Sequence, residues 1–183
     1  MAKKLKIVWI CHFSNQKVRD NIPLSQRQIL NFLRFLLGKN ELFYKDFAPW
    51  VTNQILEFER FDDVELHVIS PHVGLRRFSY EFEMQGVHYY FFKAELPFFL
   101  DRIGNRLFNI ENKKFRINRF FVKHFLKNIK PDIVNLIGTE NPYYSITSLD
   151  IKDFPVFVSA QTVYTNPVRR KLSGLCEDRK SVV

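Results

Sequence analysis

Cysteine is nearly absent from this sequence, with only Cys11 and Cys176 among 183 residues. Two cysteines support neither a disulfide framework nor a cysteine-based zinc site, and they favour a reducing compartment. The five histidines form no H-E-x-x-H or other metal-binding spacing. We therefore expect a cytoplasmic protein that holds no metal ion.

Glycine is also scarce: the chain has six, and they form no phosphate-binding motif. No G-x-G-x-x-G follows the first predicted strand, and no Walker P-loop occurs in the sequence. These absences argue against a dinucleotide-dependent dehydrogenase, which binds its pyrophosphate at the first helix. We expect no resident cofactor.

Long hydrophobic runs are missing as well. A membrane-spanning helix needs about 20 consecutive apolar residues, and the nearest candidate, residues 88–100, is interrupted by Lys93, Glu95 and Pro97. The basic start of the chain precedes only a short apolar run, residues 7–11, with no small-residue cleavage site after it. The sequence therefore predicts neither a membrane span nor a secretory signal peptide.

Positive charge and apolar residues are plentiful. Lysine and arginine number 28 against 19 aspartates and glutamates, which gives a net charge of +9. Such a surface favours anionic partners, namely phospholipid, nucleic acid or sugar phosphates, although the charge also serves solubility alone. The chain is 46% hydrophobic, and its length suits one domain that buries roughly 70% of its unfolded surface.

Short apolar runs alternate with helical patterns along the chain. Strands are predicted over residues 7–11, 64–70, 82–84, 87–92, 132–137 and 155–160, with Gly86 in a turn that gives a hairpin or an edge strand. Helices are predicted over residues 26–37, from Pro49, over residues 113–129 and near Pro142, and residues 12–23 are predicted as a polar loop. This alternation predicts the α/β class, a Rossmann-like parallel sheet with helices on both faces.

Polar side chains follow the ends of the predicted strands, which right-handed crossovers bring to one edge of the sheet. Ligands of open α/β sheets bind outside this edge. The candidate binding residues are His12, Asn15, His72, Glu140, Gln161 and Thr162. Each has a structural alternative, because histidines, amides and hydroxyls also order loops, and a carboxylate such as Glu140 also caps a helix.

The predicted helix over residues 113–129 is basic, with aromatic and aliphatic residues interleaved and no acid among them. One hypothesis is docking on an anionic membrane surface at the inner face of the cell membrane, worth about 1 kcal/mol per basic residue. The candidate docking residues are Lys113, Lys114, Arg116, Arg119, Lys123 and Lys127. The alternative is a solvated basic face. No known binding module accompanies the charge, so we expect no nucleic-acid partner.

Six segments together resemble the N-terminal domain of family-four glycosyltransferases, and most of all the bacterial enzymes that build capsular or other surface polysaccharides. The likeness covers about residues 5–168. The segments are residues 6–11, Ala48-Pro49-Trp50-Val51, residues 64–75, residues 86–92, Lys130-Pro131-Asp132-Ile133-Val134 and residues 155–162.

This resemblance implies the GT-B architecture, in which two Rossmann-like domains face each other across a cleft. The N-terminal domain holds the sugar or lipid-linked glycan acceptor, and the C-terminal domain holds the nucleotide sugar. Transfer of the hexosyl group is retaining and metal-free, and the donor phosphate helps to deprotonate the acceptor. Two positions depart from the family pattern: Ser14-Asn15-Gln16 replaces a glycine-rich loop, and Gln161 stands where many relatives have a histidine.

The family's donor-binding domain needs roughly another 180 residues, and residues 178–183 match the translation of a common sequencing adapter. We therefore expect residues 1–176 to form the acceptor-side domain, residues 177–183 to be a non-native tail, and this chain to be inactive without a C-terminal domain. Two alternatives remain open. One is a non-catalytic membrane-docked or sugar-binding module, and the other is an unrelated Rossmann-like binder of small molecules.

Overall fold

The apolar runs of the sequence form the middle of a sheet in the computed structural model, which describes residues 3–25, 36–38, 45–58, 60–94, 115–139 and 142–160. The elements in chain order are β1 Leu5–Ile10, α1 Gln16–Asn21, α2 Pro49–Phe58, β2 Val64–Pro71, β3 Ser79–Met84, β4 Val87–Phe92, α3 Arg116–Ile129, β5 Ile133–Ile137, α4 Pro142–Ser145, a 3-10 turn Ile146–Asp150 and β6 Val156–Ser159.

The strands pair into one six-stranded sheet in the order β3-β4-β2-β1-β5-β6. β1 is central and pairs in parallel with β2 and β5, while β2 pairs in parallel with β4 and β5 with β6. Among the strands that the structure describes, only β3 runs antiparallel, because a tight turn at Gln85 and Gly86 joins it to β4. Both turn residues have positive φ, 55° and 76°, as a two-residue hairpin turn requires. The predicted parallel α/β sheet and the predicted hairpin are confirmed.

Alternate residues of each strand enter two different cores, since successive side chains point to opposite faces. Trp9 and Leu66 belong to a first core, which the sheet forms with α1 and α2. Val8 and Ile10 belong to a second core, on the opposite face, which α3 covers with Val122, Phe125, Leu126 and Ile129. Helices therefore lie on both faces, as predicted, and both faces of β1 are covered.

Helix boundaries follow the predicted signals where those signals are local. α2 begins at Pro49, a favoured first-turn residue whose missing N–H costs nothing there. α3 ends where Lys130 adopts the left-handed conformation and donates its N–H to the carbonyl of Leu126. Pro131 follows and cannot continue the helix. The short helix α4 begins at Pro142, as predicted.

The predicted polar loop over residues 12–23 was wrong, because residues 16–21 form α1. This helix has a single buried side chain, Val18, so hydrophobic periodicity could not reveal it. Asn15 caps it by accepting the N–H of Val18 at 2.8 Å.

Other predictions fall outside the described residues. They concern most of the helix over residues 26–37, the tail over residues 177–183, and the site residues Lys113, Lys114, Glu140, Gln161 and Thr162. In the described ranges, no helix is long and apolar enough to cross a membrane.

Candidate functional site at the carboxyl edge of the sheet

The chain leaves the carboxyl ends of β1 and β5 in different directions. From β1 it passes to β2 through α1 and α2, which pack on the first core, and from β5 to β6 through α4, whose Tyr144 packs on the second core. The two connections therefore diverge from neighbouring strands and open a crevice between them. This is the position at which open α/β sheets bind their ligands.

His12 lies in this crevice, directly after β1. Its half-buried ring packs edge-on against Phe47, with 4.2 Å between ring centroids, and lies 6.2 Å from the ring of Tyr144. Burial, as the larger cause, and the nearby His72 together lower the pKa of His12 to about 4. The imidazole is therefore neutral at pH 7, and each ring nitrogen offers one hydrogen-bonding function.

His72 lies beside it, after β2, and is buried. Its Nδ1 accepts the backbone N–H of Gly74 at 3.2 Å, so the neutral ring carries its proton on Nε2. Its own backbone N–H donates to the carbonyl of Phe92 at 2.9 Å. We call His12, Phe47, His72 and Tyr144 the strand-end cluster. The structure thus brings together the two histidines that the sequence selected.

Both polar atoms of the Asn15 side-chain amide make hydrogen bonds within the fold. Its oxygen caps α1, and its nitrogen donates to the hydroxyl of Thr52 on α2 at 3.2 Å. The capping alternative for Asn15 is therefore realised, and its role in ligand binding stays a prediction.

Arg19 of α1 fixes the loop that carries Phe47. Its guanidinium donates to Ser14 Oγ at 2.9 Å and pairs with Asp46 at 2.6 Å, while Ser14 and Phe47 exchange two backbone hydrogen bonds. The side chain of Arg19 is only 10% exposed, whereas that of Asp46 is 60% exposed. The buried guanidinium thus anchors the loop that places Phe47 against His12.

An open groove of about 890 Å³ runs along the first-core side of the sheet, over β1, β5 and β6. It begins at the carboxyl edge, beside Ile137, and reaches the start of these strands at Ile7 and Ile133. We call it the side groove. Aromatic rings and neutral or acidic polar groups line it, namely Trp50, Phe157, Asn135, Ser159, Gln54 and Glu57. The Ser159 hydroxyl donates to Asn135 Oδ1 at 2.9 Å, which fixes the amide in the groove wall.

Several of these residues were not selected from the sequence. Phe47 and Tyr144 approach His12 only through tertiary contacts, and Arg19 acts on the site only through Ser14 and Asp46, which no local pattern reports. Asn135 did carry a signal, because it interrupts the otherwise apolar strand 133–137.

Nucleophilic and metal chemistry find little support among the described residues. Burial raises the pKa of the Cys11 thiol, which keeps it protonated and unreactive. In the same part of the chain, no group of three or more histidine, cysteine or acidic side chains is placed to hold a metal ion.

The basic helix α3 exposes one side of mixed character. Arg116, Phe120, Lys123 and Lys127 lie on this side at three- and four-residue spacing, and Phe120 is 64% exposed. We call these four residues the basic stripe. Arg119 differs, because it is partly buried and bonds to both carboxylate oxygens of Asp150. Its predicted part in membrane docking stays untested.

Comparisons of the chain with protein-family models, with curated proteins and with solved structures gave no significant match.

Proposed function

We propose that this chain is the acceptor-binding half of a retaining glycosyltransferase that moves a sugar from a nucleotide sugar to a polysaccharide or lipid-linked glycan. The observation that carries the proposal is the side groove, which begins at the carboxyl edge of the sheet beside Ile137. A sugar presents an apolar C–H face and a rim of hydroxyls. The partly buried ring of Trp50 and the exposed ring of Phe157 suit the face, and a fixed amide such as that of Asn135 suits the rim.

His12 takes the role of a hydrogen-bonding partner for an acceptor hydroxyl. A base with a pKa of about 4 takes up a proton poorly at neutral pH. The donor phosphate then supplies the base, as the resemblance to family-four glycosyltransferases implies. The nucleotide sugar binds a second domain in this proposal, since the first loop carries Ser14-Asn15-Gln16 in place of glycines that would cradle a pyrophosphate.

Binding of simple glycosides tests this proposal. Octyl β-glycosides of glucose, galactose and N-acetylglucosamine, titrated against the labelled protein, are expected to shift the NMR signals of His12 and of the groove residues Trp50 and Asn135. Replacing His12 by alanine removes one hydrogen bond and a ring contact, so affinity should fall about tenfold.

The matched control is His124→Ala, because His124 is exposed on α3, which packs on the opposite face of the sheet. This variant should bind as the original chain does. UDP-glucose offered to the same chain should not be turned over. The proposal fails if no glycoside shifts the groove signals, or if the chain alone consumes UDP-glucose.

A second candidate function is that of a non-catalytic module docked on an anionic membrane. The basic stripe supports it, because an exposed phenylalanine surrounded by lysine and arginine is typical of helices that lie in a membrane interface.

Vesicle binding separates this candidate from a merely solvated helix. Replacing Arg116, Lys123 and Lys127 by glutamine should weaken binding to vesicles of phosphatidylglycerol and phosphatidylcholine about 100-fold, at about 1 kcal/mol for each charge. A control triple variant at Lys17, Lys45 and Lys93, all exposed, removes the same charge elsewhere. Equal losses in the two variants, measured by sedimentation with the vesicles, would exclude docking through the stripe.

A further inference from the structure

A second, smaller cavity of about 320 Å³ lies between the carboxyl-terminal half of α3 and the segment that leads into β6. It is on the second-core side, away from the side groove. Four lysines surround it, two of them from α3, one at the end of that helix and one from the facing segment. They are Lys123, Lys127, Lys130 and Lys152. We call this cavity the lysine pocket.

The positive charge of the lysine pocket is largely uncompensated. Of its two acidic residues, Asp150 is already neutralised by Arg119, which bonds to both its oxygens. These hydrogen bonds lower the pKa of Asp150, and the charges of Arg119, Lys123 and Lys152 lower it further. Asp153 is the other acid, and among the described residues none of the four lysines has an ion-pair partner within 4.0 Å.

The floor of the lysine pocket is apolar. Leu126, Ile151 and Phe154 contribute to it, and they pack against the second core. Thr147 also lines the pocket, but its hydroxyl donates to the carbonyl of Tyr144 and is engaged in the fold. A ligand that fits both parts has a compact anionic group for the lysines and a small apolar portion for the floor.

We propose that the lysine pocket binds the phosphate group of a phosphate ester. Phosphate carries up to two negative charges and three or four acceptor oxygens, which matches a cavity lined by four lysines. The organic part of the ester lies over Phe154 and Ile151. Neither a glycosyltransferase activity nor docking of the basic stripe is needed for this site.

An NMR titration with inorganic phosphate at low salt tests the site directly. Amide shifts that saturate and that concentrate in residues 123–130 and 147–154 are expected. Lys130→Gln combined with Lys152→Gln should weaken binding at least about tenfold, and added sodium chloride should weaken it as well. Neither lysine belongs to the basic stripe, so the variant leaves that surface intact.

The control is Lys17→Gln combined with Lys93→Gln, which removes the same charge from two exposed sites outside the pocket. The proposal is supported if saturable shifts persist in the control variant and are lost in the pocket variant. The proposal is overturned if the shifts spread over every lysine-bearing surface, or if both variants weaken binding equally. The lysines would then serve only to balance the partial negative charge at the carboxyl end of α3.

The source of the phosphate is resolved with two further probes. Glycerol 3-phosphate that binds more tightly than inorganic phosphate, with the same dependence on Lys130 and Lys152, supports a soluble ester. A lipid headgroup is supported if the pocket variant binds phosphatidylglycerol vesicles more weakly than the original chain does, and if glycerol 3-phosphate binds no better than inorganic phosphate. If neither probe responds to the pocket variant, the assignment to a phosphate ester is overturned.

Discussion

Replacing Phe13 by alanine should lower the free energy of unfolding by about 3 to 5 kcal/mol, the usual cost of removing a buried phenylalanine ring. Phe13 is completely buried and lies between the rings of Tyr89 and Phe91, each with its centroid 6.3 Å away. Phe13 is adjacent in sequence to His12 and Ser14, so the cavity left by the substitution would loosen the strand-end cluster. Urea unfolding followed by circular dichroism measures the loss.

Phe78 provides the matched control for this substitution. It is 77% exposed, so Phe78→Ala removes the same atoms without opening a cavity. Its effect on unfolding should stay within about 0.5 kcal/mol. If the two variants lost equal stability, Phe13 would not occupy the core position that the structure gives it, and the placement of His12 beside Phe47 would lose its support.

Acid should destabilise the fold between pH 6.5 and pH 4, through His67. This side chain is buried on β2, and its ring stacks on that of His88 at 4.8 Å. Burial lowers the pKa of His67 to about 4, with the charge of His88 as the second cause, while Glu65 opposes the shift. Lys6 and the Tyr90 hydroxyl complete its surroundings.

The sign follows from the protons bound in each state. Below pH 6.5 the unfolded chain protonates His67, whereas the folded chain keeps it neutral down to about pH 4. The unfolded state therefore binds more protons, and stability falls as the pH falls through this window. The full shift corresponds to about 3 kcal/mol. His12 acts in the same direction and window.

Unfolding free energies measured from pH 7 to pH 4 test this expectation. His67→Gln should flatten the pH dependence, although it also lowers stability at pH 7. His124→Gln is the matched control, because it makes the same change at an exposed position on α3. An unchanged slope in His67→Gln, with its folded structure intact by circular dichroism, would contradict the assignment.

Most of the sheet could be predicted because its strands are specified locally. Residues 7–11 and 64–70 are continuous apolar runs, which is typical of strands covered on both faces. Gly86 indicated the hairpin, because glycine readily adopts the positive φ that a tight turn requires. Helix α1 could not be predicted in this way. Its one buried residue gives no periodic signal, and its position depends on contacts of Asn15 and Arg19 with distant residues.

The residues of the candidate site, too, could be predicted only where the signal is local. His12 and His72 were selected because each directly follows a strand, and strand ends share an edge whatever the loops do. Phe47 and Tyr144 come from loops far along the chain, so their contact with His12 could not be predicted from local sequence. The ion pair of Arg119 could not be predicted either. Arg119 lies at the boundary between the buried and exposed sides of α3, and only the fold brings Asp150 opposite it.

The central place of β1 has a consequence for how the protein is made. Its partner β5 lies far along the chain: Asp132, just before β5, accepts the backbone N–H of Lys6 across 126 positions. At about 5 to 20 residues per second, the first strand is synthesised roughly 6 to 25 seconds before its second neighbour. During that interval the backbone N–H and C=O groups on one edge of β1 have no strand to pair with. A newly made chain is therefore open to edge-to-edge association during that interval, and slower translation before β5 would lengthen it.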